Sequence, residues 1–419
     1  MRGFEGALGR SWEQPEVTGL GRLPARSLLW PFPDEEGARR GDPEASPWVL
    51  SLDGRWRFAL APRPEAAPAG FMDPDFDDAG WDGLEIPGHW TTQGFDRPHY
   101  TNVQMPFATP PPRVPDANPT GLHRRRFRLP PAFRGRRVVL HVGGAESVLY
   151  VWMNGSPVGL SKGSRLPAEF DVTQLIRPGE NLLAAAVVRW SDGTFLEDQD
   201  HWFHGGIFRS VRLYATGPVH LADLTVRGEP DEDLRDGWLH LRAEVGSPER
   251  LPPGHAVRVR LLDPRGREVF RRPLELPVAP PGNPYLWRGP FAEAMERVRR
   301  PRLWSAETPA LYRVVVTLLD PEGRALESRS TRLGFRRVEV RDRQLRVNGR
   351  AVLIRGVNRH EHDDVRGKAV TRESMWRDAV LMKRFGVNAV RTAHYPDDPT
   401  WYEICDEIGL YVVDEADIE

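Results

Sequence analysis

From about residue 49 the apolar and polar positions of the chain alternate with a period of two. Trp56, Phe58 and Leu60 interleave with Arg55, Arg57 and Ala59, as a half-buried strand requires when successive side chains face opposite ways. RRVVLHV, SVLYVWM, NLLAAAVVRW and IFRSVRLYA are further strand-like runs, and Asn154-Gly155 is a hairpin signal, because both central positions of that turn need positive φ. No comparable helical period interrupts them, so residues 49–217 predict an antiparallel sandwich. Ahead of them, residues 1–48 are rich in Pro, Gly and Arg without periodicity and predict an irregular arm.

Past the turn-rich joint Thr216-Gly217-Pro218 the alternation resumes at Leu239, Leu241, Ala243 and Val245. Two matching turns, DPRG at 263–266 and DPEG at 320–323, separate strand runs. Residues 218–335 predict a second sandwich of immunoglobulin-like size. Over 336–419 the period changes. AVLIRGVN reads as a buried strand. Thr371 caps a helix with Met375, Ala379 and Met382 on one face and Glu373 near its positive end, and Gly386 stops it. VNAVRTA is a second strand, PTWYEICDEI a helix opened by Pro399 and closed by Gly409, and LYVVDEADIE a third strand. This β-α-β-α-β order predicts parallel strands with crossover helices.

Composition narrows the function classes. The 419 residues carry Lys+Arg 58 against Asp+Glu 59, which gives no global field to draw nucleic acid or an anionic membrane. No stretch approaches the roughly 18 apolar residues of a membrane span. With one cysteine, Cys405, no internal disulfide can form, and its place in a helical run predicts packing rather than nucleophilic chemistry. The expectation is a soluble cytoplasmic protein that binds neither nucleic acid nor membrane.

Polar residues gather where each parallel strand runs out: RHEH at 359–362, RTAH at 391–394 and DEADIE at 414–419. That edge is where barrels and open α/β sheets bind ligands. One histidine there could be a satisfied edge residue. Histidines and carboxylates from three strand ends together predict a site. His360-Glu361-His362 lacks the i, i+4 spacing of a zinc protease. Carboxylates beside sugar-binding polar groups fit glycoside hydrolysis, which needs two of them. A closed barrel takes about 250 residues and eight strands, whereas 336–419 offers three, which cannot close, so the expectation is a domain of which most is missing, its apolar faces and one edge left exposed.

IRGVNRHEHDD and LMKRFGVNAVRTAHYPDDPTWYEICDEIGLYVVDEADIE resemble the cytoplasmic bacterial β-galactosidases of glycoside hydrolase family 2. So do GLGRLPARS, RPHYTNVQMPF, NPTGLHRRRF, SRLPAEFDVT, RWSDGTFLEDQDHWFHGGIFR, LWSAETPALY and LGFRRVEV, in order from about residue 11. The resemblance implies a jelly-roll sugar-binding domain, an immunoglobulin-like β-sandwich and the start of a TIM-barrel catalytic domain, the amino-terminal portion of such an enzyme. It implies retaining hydrolysis of terminal β-D-galactosides such as lactose, with both catalytic glutamates beyond Glu419, so that this chain is inactive alone.

The resemblance also carries residues across. Asn102 and Asp200 match sugar-contacting residues, Asp200 also a sodium ligand; His360 and His394 match a pair that hydrogen-bonds the galactosyl group. Arg391 matches a residue beside the nucleophile, and Glu419 a ligand of magnesium. A homo-oligomer, a tetramer in the complete enzyme, is implied as well. Two alternatives stand: another family 2 glycosidase, acting on β-glucuronides or β-mannosides, or a non-catalytic carbohydrate-binding or assembly fragment.

Overall fold

A computed structural model describes residues 9–102, 104–279 and 289–418. The strand-rich first part folds as two sheets. A seven-stranded sheet runs in the order Gly19–Leu20, Ser156–Ser161, Val148–Met153, Glu180–Val188, Thr120–Arg128, Gly54–Ala61 and Asp82–Ile86. A four-stranded sheet faces it, ordered Ala168–Asp171, Arg137–Val142, Val211–Thr216 and Val49–Ser51. Between them lies the core of Trp56, Phe58, Leu140, Leu183, Ala185, Val187 and Leu213. On the far side of the larger sheet, Ala184, Ala186 and Val188 pack with Trp12, Phe71 and Trp152 in a second cluster. Glu180–Val188 is thus buried on both faces, which explains its continuous apolar run where a one-sided strand would alternate.

Asn154 (φ 54°) and Gly155 (φ 83°) form the expected turn between Val148–Met153 and Ser156–Ser161. The arm is largely irregular yet tied down: Gly19–Leu20 pairs with Ser156–Ser161. It also holds a short helix, Glu35–Arg40, which the sequence pattern did not predict. Asp34 caps that helix by accepting from the Gly37 N–H at 2.8 Å, and Gly41 ends it at φ 71°.

The second sandwich has a three-stranded sheet, His220–Pro230, Gly237–Gly246 and Phe291–Val298. It packs on a four-stranded sheet of Leu274–Pro277, Ala256–Leu262, Tyr312–Leu319 and Ala325–Leu333. Leu239, Leu241, Ala243, Val245, Val257 and Val316 fill the space between them. DPRG and DPEG close as turns, with Gly266 N–H donating to Asp263 O at 2.8 Å and Gly323 N–H to Asp320 O at 2.9 Å.

Gly356–Arg359, Ala389–Thr392 and Tyr411–Val413 then form a three-stranded parallel sheet crossed by helices Arg372–Arg384 and Pro399–Ile408. Thr371 accepts from Ser374 N–H at 3.2 Å, and Gly409 closes the second helix at φ 84°. Met375, Ala379, Trp401, Ile404 and Cys405 bury the helices against Val390, so Cys405 packs as expected.

One expectation is corrected. AVLIRGVN is not one buried strand: Arg350–Ala351 pairs in another sheet, only Gly356–Arg359 joins the parallel one, and Leu353 is 76 %, Ile354 45 % and Val357 39 % exposed. Gly356–Arg359 has a single neighbouring strand among the described residues, and the apolar cluster of the two helices gathers on Val390 and Val412 of the other two strands.

Candidate functional site

The site is assembled from a ribbon of the first sandwich and the ends of the parallel strands. His99–Thr101 pairs antiparallel with His201–Phe203, setting Thr101 opposite His201 and Tyr100 opposite Trp202. Thr101, His201 and Phe203 point inward and are buried. By the alternation of strands, Tyr100 and Trp202 face the other way. Asn102 follows one strand and Asp200 precedes the other, and the Asn102 amide donates to Asp200 Oδ2 at 3.0 Å. The Tyr100 hydroxyl donates to Asp200 Oδ1. Giving its proton to that carboxylate raises the phenol pKa above its ordinary value.

His360 stands at the end of the first parallel strand and His394 just past the second, their ring centroids 5.3 Å apart and inclined at 65°. Desolvation lowers the His360 pKa, with His394 and Arg391 adding to the effect and the Asp200 carboxylate opposing it. His360 is therefore neutral near pH 7. The Asp200 carboxylate is thus within electrostatic reach of His360. Arg391 Nε donates to Glu415 Oε1 at 2.6 Å, while His394 Nδ1 lies 3.3 Å from Arg391 Nη2 and 3.4 Å from Glu415 Oε2. In one tautomer His394 accepts from the arginine; in the other it donates to the glutamate.

Five residues expected from sequence, Asn102, Asp200, His360, Arg391 and His394, thus meet on one rim. Glu419 lies outside the described residues. Glu415, which links Arg391 to His394, was not singled out; its place in DEADIE was the only signal.

Buried ion pairs fasten the first sandwich to this rim. Arg209 Nη2 donates to Glu361 Oε2 at 2.7 Å and to Pro396 O at 2.8 Å. One guanidinium therefore anchors the residue after His360 and the loop after His394. Arg165, with no exposed side-chain surface, meets Glu197 at 2.8 Å, His201 Nε2 at 2.6 Å and Asp417 at 3.4 Å. Lys368 pairs with Glu146 at 3.1 Å. Burial alone would raise the Glu146 pKa, but Lys368 and Arg165 pull it well below the usual carboxylate range. Burial lowers Lys368 to about 8. Glu197 is raised by burial and by neighbouring Asp417, against the pull of Arg165.

The donor set for a metal can be tested directly. The Asp200 oxygens are taken by Tyr100 and Asn102, Glu415 is held by Arg391, and Asp417 by Arg165. Among the described residues no group of three or more His, Cys, Asp or Glu could hold an ion. These residues do not by themselves fit a magnesium or sodium site, and no chemical step is routed through either ion.

Three family models match in order. They are the sugar binding domain of glycosyl hydrolases family 2 over residues 49–217, glycosyl hydrolases family 2 over 219–336, and the family's TIM barrel domain over 338–419. A β-galactosidase of Photobacterium profundum is 44 % identical over 414 residues, covering 98 % of this chain and 39 % of that protein. One of Vibrio cholerae serotype O1 is 42 % identical over 421 residues, covering 100 % of this chain and 40 % of that protein. The chain thus spans about two fifths of the length of these curated relatives.

Among solved structures, Bifidobacterium dentium β-glucuronidase complexed with coumarin-3-O-glucuronide has a TM-score of 0.74 at 23 % identity, over 88 % of this chain and 61 % of that one. Bacteroides uniformis β-glucuronidase has 0.73 at 24 %, over 88 % and 42 %. At these identities the likeness shows the fold. No helix of the described residues is long and apolar enough to cross a membrane.

Proposed function

The chain belongs to glycoside hydrolase family 2, and from that premise we propose that it supplies the sugar-recognising part of a retaining β-galactosidase acting on β-galactosides such as lactose. The observation that carries the reading is the rim itself, where the Asn102–Asp200 pair, neutral His360 and His394 present donors and acceptors from two domains to one place. Vicinal hydroxyls need such mixed partners, since each both gives and accepts a proton. The relatives above 40 % identity named β-galactosidase support galactose over the sugars of the more distant structures. Charge supports it too: a glucuronide would bring its own carboxylate towards Asp200, and like charges at close range disfavour binding.

In this reading the chain's residues bind and orient the sugar. Asn102 and Asp200 take hydroxyls from the sandwich side, His360 and His394 from the strand ends, and Arg391, braced by Glu415, supplies a fixed positive charge. Hydrogen bonds to ring hydroxyls accelerate hydrolysis where they tighten as the sugar distorts. No acid/base or nucleophilic role is assigned to a carboxylate here: Glu415 is engaged by Arg391 and Glu361 by Arg209. Assembly of identical chains in the cytoplasm is the proposed setting.

Calorimetric titration with methyl β-galactoside tests the reading. The expected affinity is millimolar, about −4 kcal/mol. His394→Ala and Asp200→Ala should each weaken it at least about tenfold, ~1.4 kcal/mol. Unchanged affinity in both variants would remove these residues from the site. Hydrolysis of nitrophenyl β-galactoside by the purified chain would show that it holds its own catalytic carboxylates, against the proposal.

A further inference from the structure

The ribbon that carries Asn102 and Asp200 has a second property. Its inward face is fixed at several points: Arg165 Nη2 meets His201 Nε2 at 2.6 Å, and Arg189 Nη2 donates to Phe203 O at 3.3 Å. Thr101, His201 and Phe203 are buried. The outward face is therefore held in place, and it carries two large aromatic side chains directly opposite each other. Tyr100 is 49 % and Trp202 44 % exposed, with ring centroids 5.3 Å apart at 52°.

A single exposed aromatic needs no explanation. Two paired across strands and continuous with a polar pair are a different case. Alternation sets Asn102 on the same side as Tyr100 and Asp200 on the same side as Trp202. The face thus combines two rings with a carboxylate and an amide. That is the composition of a small-molecule site, where apolar and aromatic surface carries contact area and a few placed polar groups fix orientation. A pyranose has the complementary surface, hydroxyls around its edge and a C–H face whose positive hydrogens suit the negative face of an aromatic ring. The Tyr100 hydroxyl, hydrogen-bonded to Asp200 Oδ1, fixes its ring beside the carboxylate.

We propose that Tyr100 and Trp202 form an aromatic platform on which the C–H face of the bound pyranose rests while Asn102 and Asp200 hold its hydroxyls. This rests on the galactoside reading and adds to it a second pair of specificity-determining residues. An axial hydroxyl on the stacked face would lift the ring off the platform, so the platform selects among sugar epimers by shape where the polar pair selects by hydrogen bonding.

The test uses the whole chain labelled with 5-fluorotryptophan. Of its 14 tryptophans, Trp202 is identified as the fluorine signal missing from Trp202→Phe. Methyl β-galactoside should shift that signal along the same titration curve as binding measured by calorimetry. Trp202→Ala should weaken binding about fivefold, whereas Trp202→Phe, which keeps a ring, should stay within about twofold. If galactoside binds while the Trp202 signal stays still and Trp202→Ala binds as well as the parent, the platform is overturned and the galactoside reading stands. If methyl β-glucuronide moves the signal and the galactoside does not, the platform stands and the galactoside reading falls. If no sugar moves it, the platform is overturned.

Discussion

Arg165→Met is expected to destabilise the folded chain by about 3–5 kcal/mol, the usual cost of removing one partner from a buried ionic cluster. Methionine keeps much of the volume, so the loss is electrostatic. Arg165 faces Glu197 at 2.8 Å, Asp417 at 3.4 Å and Glu146 at 3.8 Å, with its guanidinium 4.9 Å from the Tyr395 ring. Without it, three carboxylates of 8 % exposure or less lose their common cation, only Glu146 keeps an ion pair, with Lys368, and the stranded charges must protonate or unfold the region. Arg324→Met is the control. That arginine meets Asp320 at 2.6 Å but is 74 % exposed, and its loss should leave the unfolding midpoint close to the parent's. Urea unfolding of both variants decides: equal small shifts would mean that the cluster contributes little. Adding Glu197→Gln to Arg165→Met should recover part of the loss, because it removes one of the stranded charges.

His123→Phe should give a stability difference that depends on pH, by up to about 3 kcal/mol across the window. His123 is fully buried, 5.0 Å from the Phe58 ring and 6.4 Å from Trp90, and burial lowers its pKa to about 4. Between pH 6.5 and about 4 the unfolded chain holds a proton on this imidazole that the folded chain refuses. The native histidine's contribution is therefore fully present above pH 6.5 and lost as pH falls through that window. The phenylalanine variant has no such loss, so its stability relative to the parent should rise on acidification. A difference independent of pH between 7 and 4 would mean that His123 titrates normally.

What could be read from the sequence follows from how local each signal is. Asn154-Gly155, the Thr371 cap and Gly409 act within a few residues, and each fell where expected. The site histidines were legible because three strand ends repeat one pattern, polar residues after an apolar run. Burial of AVLIRGVN was misjudged because an apolar strand carries no mark of which neighbours cover it. Arg165 was hidden for another reason: its partner Asp417 is 252 residues away, and an arginine in SRLPAEFD looks like any of the chain's many others. Tyr100 and Trp202 lie on strands whose period of two shows that they face outward, but only the pairing register shows that they face each other.

One galactoside site spanning the ribbon and the strand ends should respond to sugar as a unit. The measurement follows the ring signals of His360 and His394 in the histidine-labelled chain by NMR while methyl β-galactoside and methyl β-glucuronide are titrated side by side. Both rings should shift together with the galactoside, along one saturation curve that Asp200→Ala displaces to higher concentration, and the glucuronide should leave them in place. Rings that move with the glucuronide alone, or that ignore both sugars, would contradict a single galactoside site.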